Sequence, residues 1–570
     1  MLLQKRNYWM TMIAIMVCLV LVLAACGGQN KTDGGDSDTK KEKGSEAIGD
    51  DTSSNVEQVL NLSGTADFTS LDIHHASDAP SFDALYQIGA GFIGFDKEGG
   101  FIPDLAADEP EVNEDKTVYT FTIRDDAKWS NGDPVTANDF VYSWKRAVNP
   151  DTAAEYAFIY GSASILNAEE ILNPDSDLYG KIDELGIEAL DEQTVQVTLE
   201  KATPYFVTLM SFPPFYPLNE EFVEGLGDDY ATSVENLLAN GPFKLTDWHI
   251  GEGWTFEKNE TYWNADDVKL EQVNYKLVTD AATRVNLYQT GDLDYAELNA
   301  QFIQQFKDSA ELHTGELTAD MKFMRLNQKH EALANQNIRS AIYNAFDRQT
   351  LVDSLLQSGA APAYYVVPND WAFAENGEDF RIKYPKINEK TMEEAQELWE
   401  KGLEEIGKSE VTIDIMFGES DTNEKIVTYL QSQLEENLPG LTVNLNKQPY
   451  GQHLKLEGER KYDISYWGWL PDFLDPITYL DIWLSDGPFN RTGFASEEFD
   501  DLINQANNLG DKPEERWDVL QEAEKYLFED ASVVPVFQNA RAYVQKPHVQ
   551  DLIPRNYGPT VDYRYAYIAE

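Results

Sequence analysis

Behind Lys5 and Arg6 runs an apolar stretch from Met12 to Ala25, interrupted mainly by small residues. It is shorter than the roughly 18–20 residues a membrane span needs, so this stretch reads as a secretory signal peptide. Residues 27–56 are Gly, Ser, Asp, Lys and Thr with almost nothing apolar, the composition of a flexible tether. The pattern changes at Gln58, where Val59, Leu60 and Leu62 open a strand that leads to Thr69–His74. Phe82 to Phe95 is apolar with Gly89, Gly91 and Gly94 inside it, which predicts a helix running into a turn. Lys116 to Arg124 alternates as a strand, with Val118, Phe121 and Ile123 apolar. Asn131-Gly132 then supplies a turn, and Thr136 with Asp139 three residues on predicts a capped helix carrying Phe140, Val141 and Trp144 on its inner face.

The second half reads as an α/β domain. Thr391-Met392-Glu393-Glu394 is a capping box opening a helix with Ala395, Leu398, Trp399, Leu403 and Ile406 on one face. Val411 to Phe417 is a strand, Glu424 to Asn437 an amphipathic helix and Leu441 to Leu445 another strand. Strand, helix, strand at this spacing is a βαβ crossover, which requires a parallel pair. Tyr462 to Pro476 is the most informative stretch. Ile464 and Tyr466 alternate with Asp463 and Ser465 as a strand, Gly468 allows another backbone to approach, and Asp472 follows as a lone carboxylate among aromatics and two prolines. Ligands of parallel sheets sit beyond the carboxyl ends of the strands, which is where Trp469 and Asp472 fall.

Composition narrows the classes. A chain of 570 residues is too long for one core, so two or three domains are expected. With 44 Lys and Arg against 100 Asp and Glu, net charge −56, no basic patch survives, which argues against nucleic acid and against anionic lipid binding through the folded body. The pair His74-His75 has no nearby Cys or helical His, so surface histidines are expected there and no metal. A hydrolase would need its carboxylates paired, as Asp139 with Glu155, but among 100 acidic residues such pairs carry no signal. No Gly-x-Ser-x-Gly, His-Glu-x-x-His or phosphate loop occurs. No enzyme activity and no cofactor are expected.

Two resemblances organise these fragments. Leu23-Ala24-Ala25-Cys26-Gly27 resembles the bacterial lipobox. That resemblance implies cleavage after residue 25, lipidation of Cys26 and anchoring to the extracellular face of the cell membrane; loss of Cys18 then leaves no disulfide. The run Lys128-Trp129-Ser130-Asn131-Gly132-Asp133-Pro134-Val135-Thr136-Ala137-Asn138-Asp139-Phe140 resembles the signature of the solute-binding proteins of peptide ABC transporters. The similarity continues through Asn240–Leu245, Glu257–Trp263, Tyr288–Asp294, Gly468-Trp469 with Asp472, and Val534–Val536, so it spans about residue 57 to 570. It implies a two-lobed α/β periplasmic-binding-protein-like fold with an extra inserted domain and a cleft between the lobes. The first lobe would comprise 57–93, 207–320 and 533–570, the inserted domain 94–206 and the second lobe 321–532, behind a signal peptide at 1–25 and a tether at 26–56.

The same resemblance implies the function and its residues. The ligand would be an oligopeptide, passed to an ABC permease with its ATPases, and the protein a monomer. Binders of varied peptides hold the shared main chain, and strand addition does so without reading side chains. Backbone at Gly468 to Leu470 would pair with the peptide on one side, and a segment near Ala76, Ser77 and Ala79 on the other. Asp472 matches the aspartate that takes the peptide ammonium, Trp469 its aromatic wall, Tyr156 a cleft tyrosine of the inserted domain and Asn299 a cleft amide. Phe537 or Gln538 lies near another cleft position. Some relatives hold the peptide carboxylate with basic side chains; the matching positions are Asn423, Glu457 and Tyr466, none basic. Tolerance of longer peptides is therefore expected. A disulfide of some relatives falls at Met321 and Leu470 and is absent. The same architecture also serves binders of pheromone peptides, nickel, haem or oligosaccharide; a carboxylate after Gly468-Trp469 favours an amine-bearing ligand.

Overall fold

In this computed structural model residues 56–374 and 376–570 are described. The signal peptide, Cys26 and all but the last residue of the tether lie outside the described residues. Among the described residues no helix is long and apolar enough to cross a membrane.

The βαβ unit forms as its pattern predicts. Val411–Gly418 and Leu441–Gln448 pair in parallel, from Val411 opposite Leu441 to Gly418 opposite Gln448. The helix Asp421–Asn437 that joins them buries Ile426, Val427, Leu430 and Leu434. Ahead of it, Met392–Ile406 starts at the predicted capping box: the Thr391 N–H donates to Glu394 Oε2 at 2.8 Å, and the Glu394 N–H to Thr391 Oγ1 at 3.2 Å. Ala395, Trp399 and Leu403 are buried there, whereas Leu398 and Ile406 lie at the margin of the buried face.

This unit belongs to a seven-stranded sheet. Its order is Tyr295–Glu297, Val533–Gln545, Leu312–Leu326, Ile464–Trp469, Val411–Gly418, Leu441–Gln448, with Ala361–Pro362 paired to the second of these. Leu312–Leu326 is fifteen residues long and runs unbroken through 320 and 321, where the sequence places a domain boundary. Its pairing with Val533–Gln545 shifts register between Thr314 and Leu317, between Leu317 and Met321, and between Lys322 and Phe323. Such bulges bend and twist a strand pair locally.

Two four-stranded sheets complete the frame. One is Val59–Gly64, Gln272–Leu277, Gly253–Lys258 and Phe243–His249; the other is Glu111–Val112, Val118–Thr122, Thr194–Thr198 and Ile187–Ala189. The capped helix Ala137–Val148 packs on the second sheet, with Phe140 and Trp144 fully buried. Asp139 spends its carboxylate on the Thr136 N–H at 2.8 Å and the Trp129 indole at 3.3 Å, a capping role and not a catalytic one.

Two expectations are corrected. The apolar run Phe82–Phe95 is not one helix and a turn: the helix is Ala79–Ile88, and Ile93–Phe95 is a strand paired with Phe101–Pro103. The break at Gly89 and Gly91 has a steric cause, since a Cβ at either would lie 2.7 Å from the Tyr216 ring. His74 is not on the surface. It is 1% exposed, and its Nδ1 accepts from Arg146 at 2.6 Å, because Arg146 reaches over to pair with Asp72 beside it. Burial holds the His74 ring neutral, with its pKa lowered to about 3. His75 is exposed, as expected.

Candidate functional site

The strand Ile464–Trp469 lies inside the large sheet, and its two edges differ. On one side all six residues pair antiparallel with Met321–Leu326. On the other, only Ile464, Ser465 and Tyr466 pair, in parallel with Ile415, Met416 and Phe417. Among the described residues no strand pairs with that second edge along Trp467, Gly468 and Trp469. Strand alternation puts Ser465, Trp467 and Trp469 on one face and Tyr466 and Gly468 on the other. Gly468 is required by the sheet itself: a Cβ there would lie 2.6 Å from the Met321 carbonyl and 2.9 Å from the Lys322 chain. The close backbone approach that the sequence assigns to a ligand is thus already made by the neighbouring strand.

Past the strand the chain turns, and Leu470 and Leu474 are exposed while Asp472 is buried between them. The Asp472 N–H donates to Thr478 Oγ1 at 3.0 Å, which fixes the turn. Its Oδ1 accepts from the Tyr156 phenol at 3.2 Å, across 316 residues of sequence. Among the described residues no cationic side chain pairs with it, and burial, aided by the charge of Asp481, pushes its carboxyl well above the usual range. Asp475, three residues on, shows the contrast: Arg516 grips both its oxygens at 2.7 and 2.8 Å. Burial likewise pushes Asp481 up to about 7, although the Ser162 hydroxyl at 3.4 Å and the Ile482 N–H donate to it. An ionised carboxylate in such surroundings is costly unless a cation with matching geometry joins it.

Aromatic rings wall this carboxylate. Phe489 lies 5.1 Å from Trp469 and 5.5 Å from Tyr156, centroid to centroid. Phe82, on the helix Ala79–Ile88, meets Tyr156 edge-on at 5.2 Å. That helix begins directly after Ala76 and Ser77, with Asp78 as its N-cap and Ala79 as its first residue. The Glu155 N–H donates to the His74 carbonyl at 2.9 Å, tying the Tyr156 segment to the turn that leads into Ala76. Tyr156, Trp469, Asp472 and the Ala76–Ala79 segment therefore converge. The surroundings supply aromatic surface, a strand edge open along Trp467–Trp469 and a buried carboxyl that no cationic side chain among the described residues pairs with.

The family model for the bacterial extracellular solute-binding proteins, family 5, matches residues 100–491. The chain belongs to that family. The dipeptide-binding protein DppE of Bacillus subtilis is 31% identical, covering 92% of this chain and 95% of that protein. The oligopeptide-binding protein OppA of the same organism is also 31% identical, over 99% of both. Among solved structures, Listeria monocytogenes OppA bound to peptide superposes with a TM-score of 0.85 at 39% identity, covering 90% of this chain and all of that one. The two-lobed solute-binding fold is accordingly that of this chain, and the family is one of binding proteins and not of enzymes.

Of the other expected site residues of this family member, Gln538 and Phe537 lie one strand beyond Met321 and Lys322, which pair with Trp469 and Gly468. Phe537 is buried, with Lys322 paired on one side and Pro362 on the other, so no strand edge is free there. Gln538 uses its amide fully: Oε1 accepts from Tyr365 and the Asn369 N–H, and Nε2 donates to the carbonyls of Thr318 and Asn369. Asn299 caps the helix Ala300–Phe306 through its backbone, leaving its buried Oδ1 without a partner. Phe489, Asp481, Ser162 and Thr478 were not legible as site residues. Phe489 follows Gly487-Pro488 in a loop, and nothing in that local pattern says which ring it faces.

Proposed function

We propose that this protein captures oligopeptides outside the cell and delivers them to an ABC permease, held at the membrane through lipidated Cys26. The observation that carries this reading is the buried Asp472 carboxyl, with no cationic side chain among the described residues beside it, next to a strand edge left open along Trp467–Trp469. A peptide supplies both missing partners at once: its ammonium for the carboxylate, and its main-chain N–H and C=O groups for the edge. The names of the relatives support the same ligand class. Asp472 is the ammonium anchor, Trp469, Tyr156 and Phe489 its walls, and the backbone of Gly468 to Leu470 and of Ala76 to Ala79 the two sides of the groove. Asn299 and Phe537 are further peptide-binding positions in this reading.

In this reading segments 57–93, 207–320 and 533–570 form one lobe, 94–206 the inserted domain and 321–532 the other lobe. The lobes close over the peptide as a monomer, bending where the pairing of Leu312–Leu326 with Val533–Gln545 shifts register. Mass spectrometry of small molecules that co-purify with the protein tests the ligand class. Peptides with free amino termini are expected; a sugar, a metal complex or only N-blocked peptides would overturn the reading.

A further inference from the structure

Behind the Trp469 wall lies a buried charge cluster that the peptide reading does not use. Glu457 Oε2 accepts from Arg325 Nη1 and from Arg491 Nη1, each at 2.7 Å, while Oε1 accepts from the Ser465 hydroxyl at 2.8 Å. Arg325 is 1% exposed and Glu457 is fully buried. Burial counts against the ionised Glu457, but the charges of Arg325 and Arg491 hold its pKa down to about 2. His453, whose Nε2 stands 3.0 Å from Ser465 Oγ, is kept neutral by burial. Two guanidinium groups against one carboxylate leave the cluster one positive charge in excess. Elsewhere in the described residues the buried arginine pairs balance singly, as Arg516 with Asp475 and Arg381 with Glu524 do.

The unused hydrogen-bonding capacity matches that charge. Arg325 Nε and Nη2, Arg491 Nε and Trp469 Nε1 are buried N–H donors without a partner among the described residues. His453 Nδ1 is also unpartnered, but the N–H donors outnumber it; buried donors left unpaired are expensive, and beside a net positive charge they are satisfied by an anion. Their placement adjoins the groove. Arg325 stands opposite Ser465 in register, on the same face as Trp467 and Trp469. The Arg491 guanidinium lies 4.9 Å from the centre of the Phe489 ring, and that ring also meets Trp469 and Tyr156.

We propose that Arg325 and Arg491, with the Trp469 indole, form an anion subsite that takes a carboxylate of the bound ligand or a small free anion. A ligand strand on the open edge at Trp467–Trp469 sends alternate side chains to this face, which brings an acidic side chain or a terminal carboxylate within range. The positive charge therefore comes from Arg325 and Arg491, not from the positions of Asn423, Glu457 and Tyr466. The ligand arm rests on the peptide reading; the free-anion arm does not.

Both arms are measured on the wild type, Arg491→Gln and Arg491→Lys. In the first, calorimetry compares peptides made as free acids and as carboxamides, and peptides that differ as Glu against Gln. In the second, chloride replaces a bulky sulfonate at constant ionic strength while the melting temperature is followed. A wild-type preference for the acid form of roughly tenfold, lost in Arg491→Gln and partly kept in Arg491→Lys, assigns the subsite to a ligand carboxylate. A chloride-dependent rise in melting temperature, absent in Arg491→Gln, assigns it to a free anion. A wild type with neither response, or a Gln variant that keeps either in full, overturns the proposal. If no peptide binds any form, the peptide reading fails and the chloride arm still decides this one.

Discussion

Asp472 and Asp481 are carboxylates that folding buries without a cation, and their pH behaviour follows from that. A carboxyl raised in the folded state binds a proton that the unfolded chain has already lost, so stability falls as pH rises between the two values. For Asp481 the window runs from about 4 to about 7. Asp481→Asn removes that loss: the ligand-free variant is expected to melt higher than wild type at pH 8 and no higher at pH 4. Thermal melts at the two pH values check it, and an equal shift at both would refute the burial argument. Asp472, Trp469 and Tyr156 were singled out through the family resemblance, and the structure brings Tyr156 and Asp472 into hydrogen-bonding contact. Asp481 and Phe489 were not singled out, because their meaning arises only where a 3-10 turn and a Gly-Pro loop fold back on the strand end. His74 misled for the same kind of reason: its neighbour Asp72 recruits Arg146 from a helix over seventy residues away.

Elements were read well where one pattern held over a full element. The capping box at Thr391, the helix behind it and the parallel pair that follows are local in sequence, and the structure has them. Phe82–Phe95 failed because its hydrophobicity serves two elements, divided where Tyr216 packs against the glycines. Gly468 is instructive in a different way. The sequence reads it as room for a ligand, whereas the Met321 carbonyl and the Lys322 side chain occupy that room. Gly468→Ala therefore overpacks the sheet and is expected to cost about 1–3 kcal/mol, seen as a lower denaturant midpoint with the slope unchanged. A variant as stable as wild type would place the strict requirement for glycine on the ligand side. Peptide affinity should fall with it, since the same shift displaces the open edge at Trp467–Trp469.

At the scale of the molecule, the family and the two-lobed fold were legible from motifs spread over the whole body, and the matched region and relatives bear this out. What could not be read was how far the chain would bring Tyr156 and Asp472 together, 316 residues apart. That contact joins the Tyr156 segment to the chain that follows Ile464–Trp469; in the proposed function, lobe closure and ammonium recognition would meet at this one hydrogen bond. With no basic residue at Asn423, Glu457 or Tyr466, the groove sets no fixed peptide length by that route. For peptides made as carboxamides, whose end the proposed anion subsite cannot take, calorimetry from dipeptides to decapeptides is expected to give a broad plateau, and a sharp optimum at one short length would contradict it. The central claim is the pairing of Asp472 with a ligand ammonium. It is tested most directly by measuring the affinities of wild type and Asp472→Asn for the same peptides with free and with acetylated amino termini. The wild type is expected to prefer the free amine by roughly ten- to a hundredfold, and this preference collapses toward unity in the variant. Equal binding of both forms by the wild type, or an unchanged preference in Asp472→Asn, would contradict it.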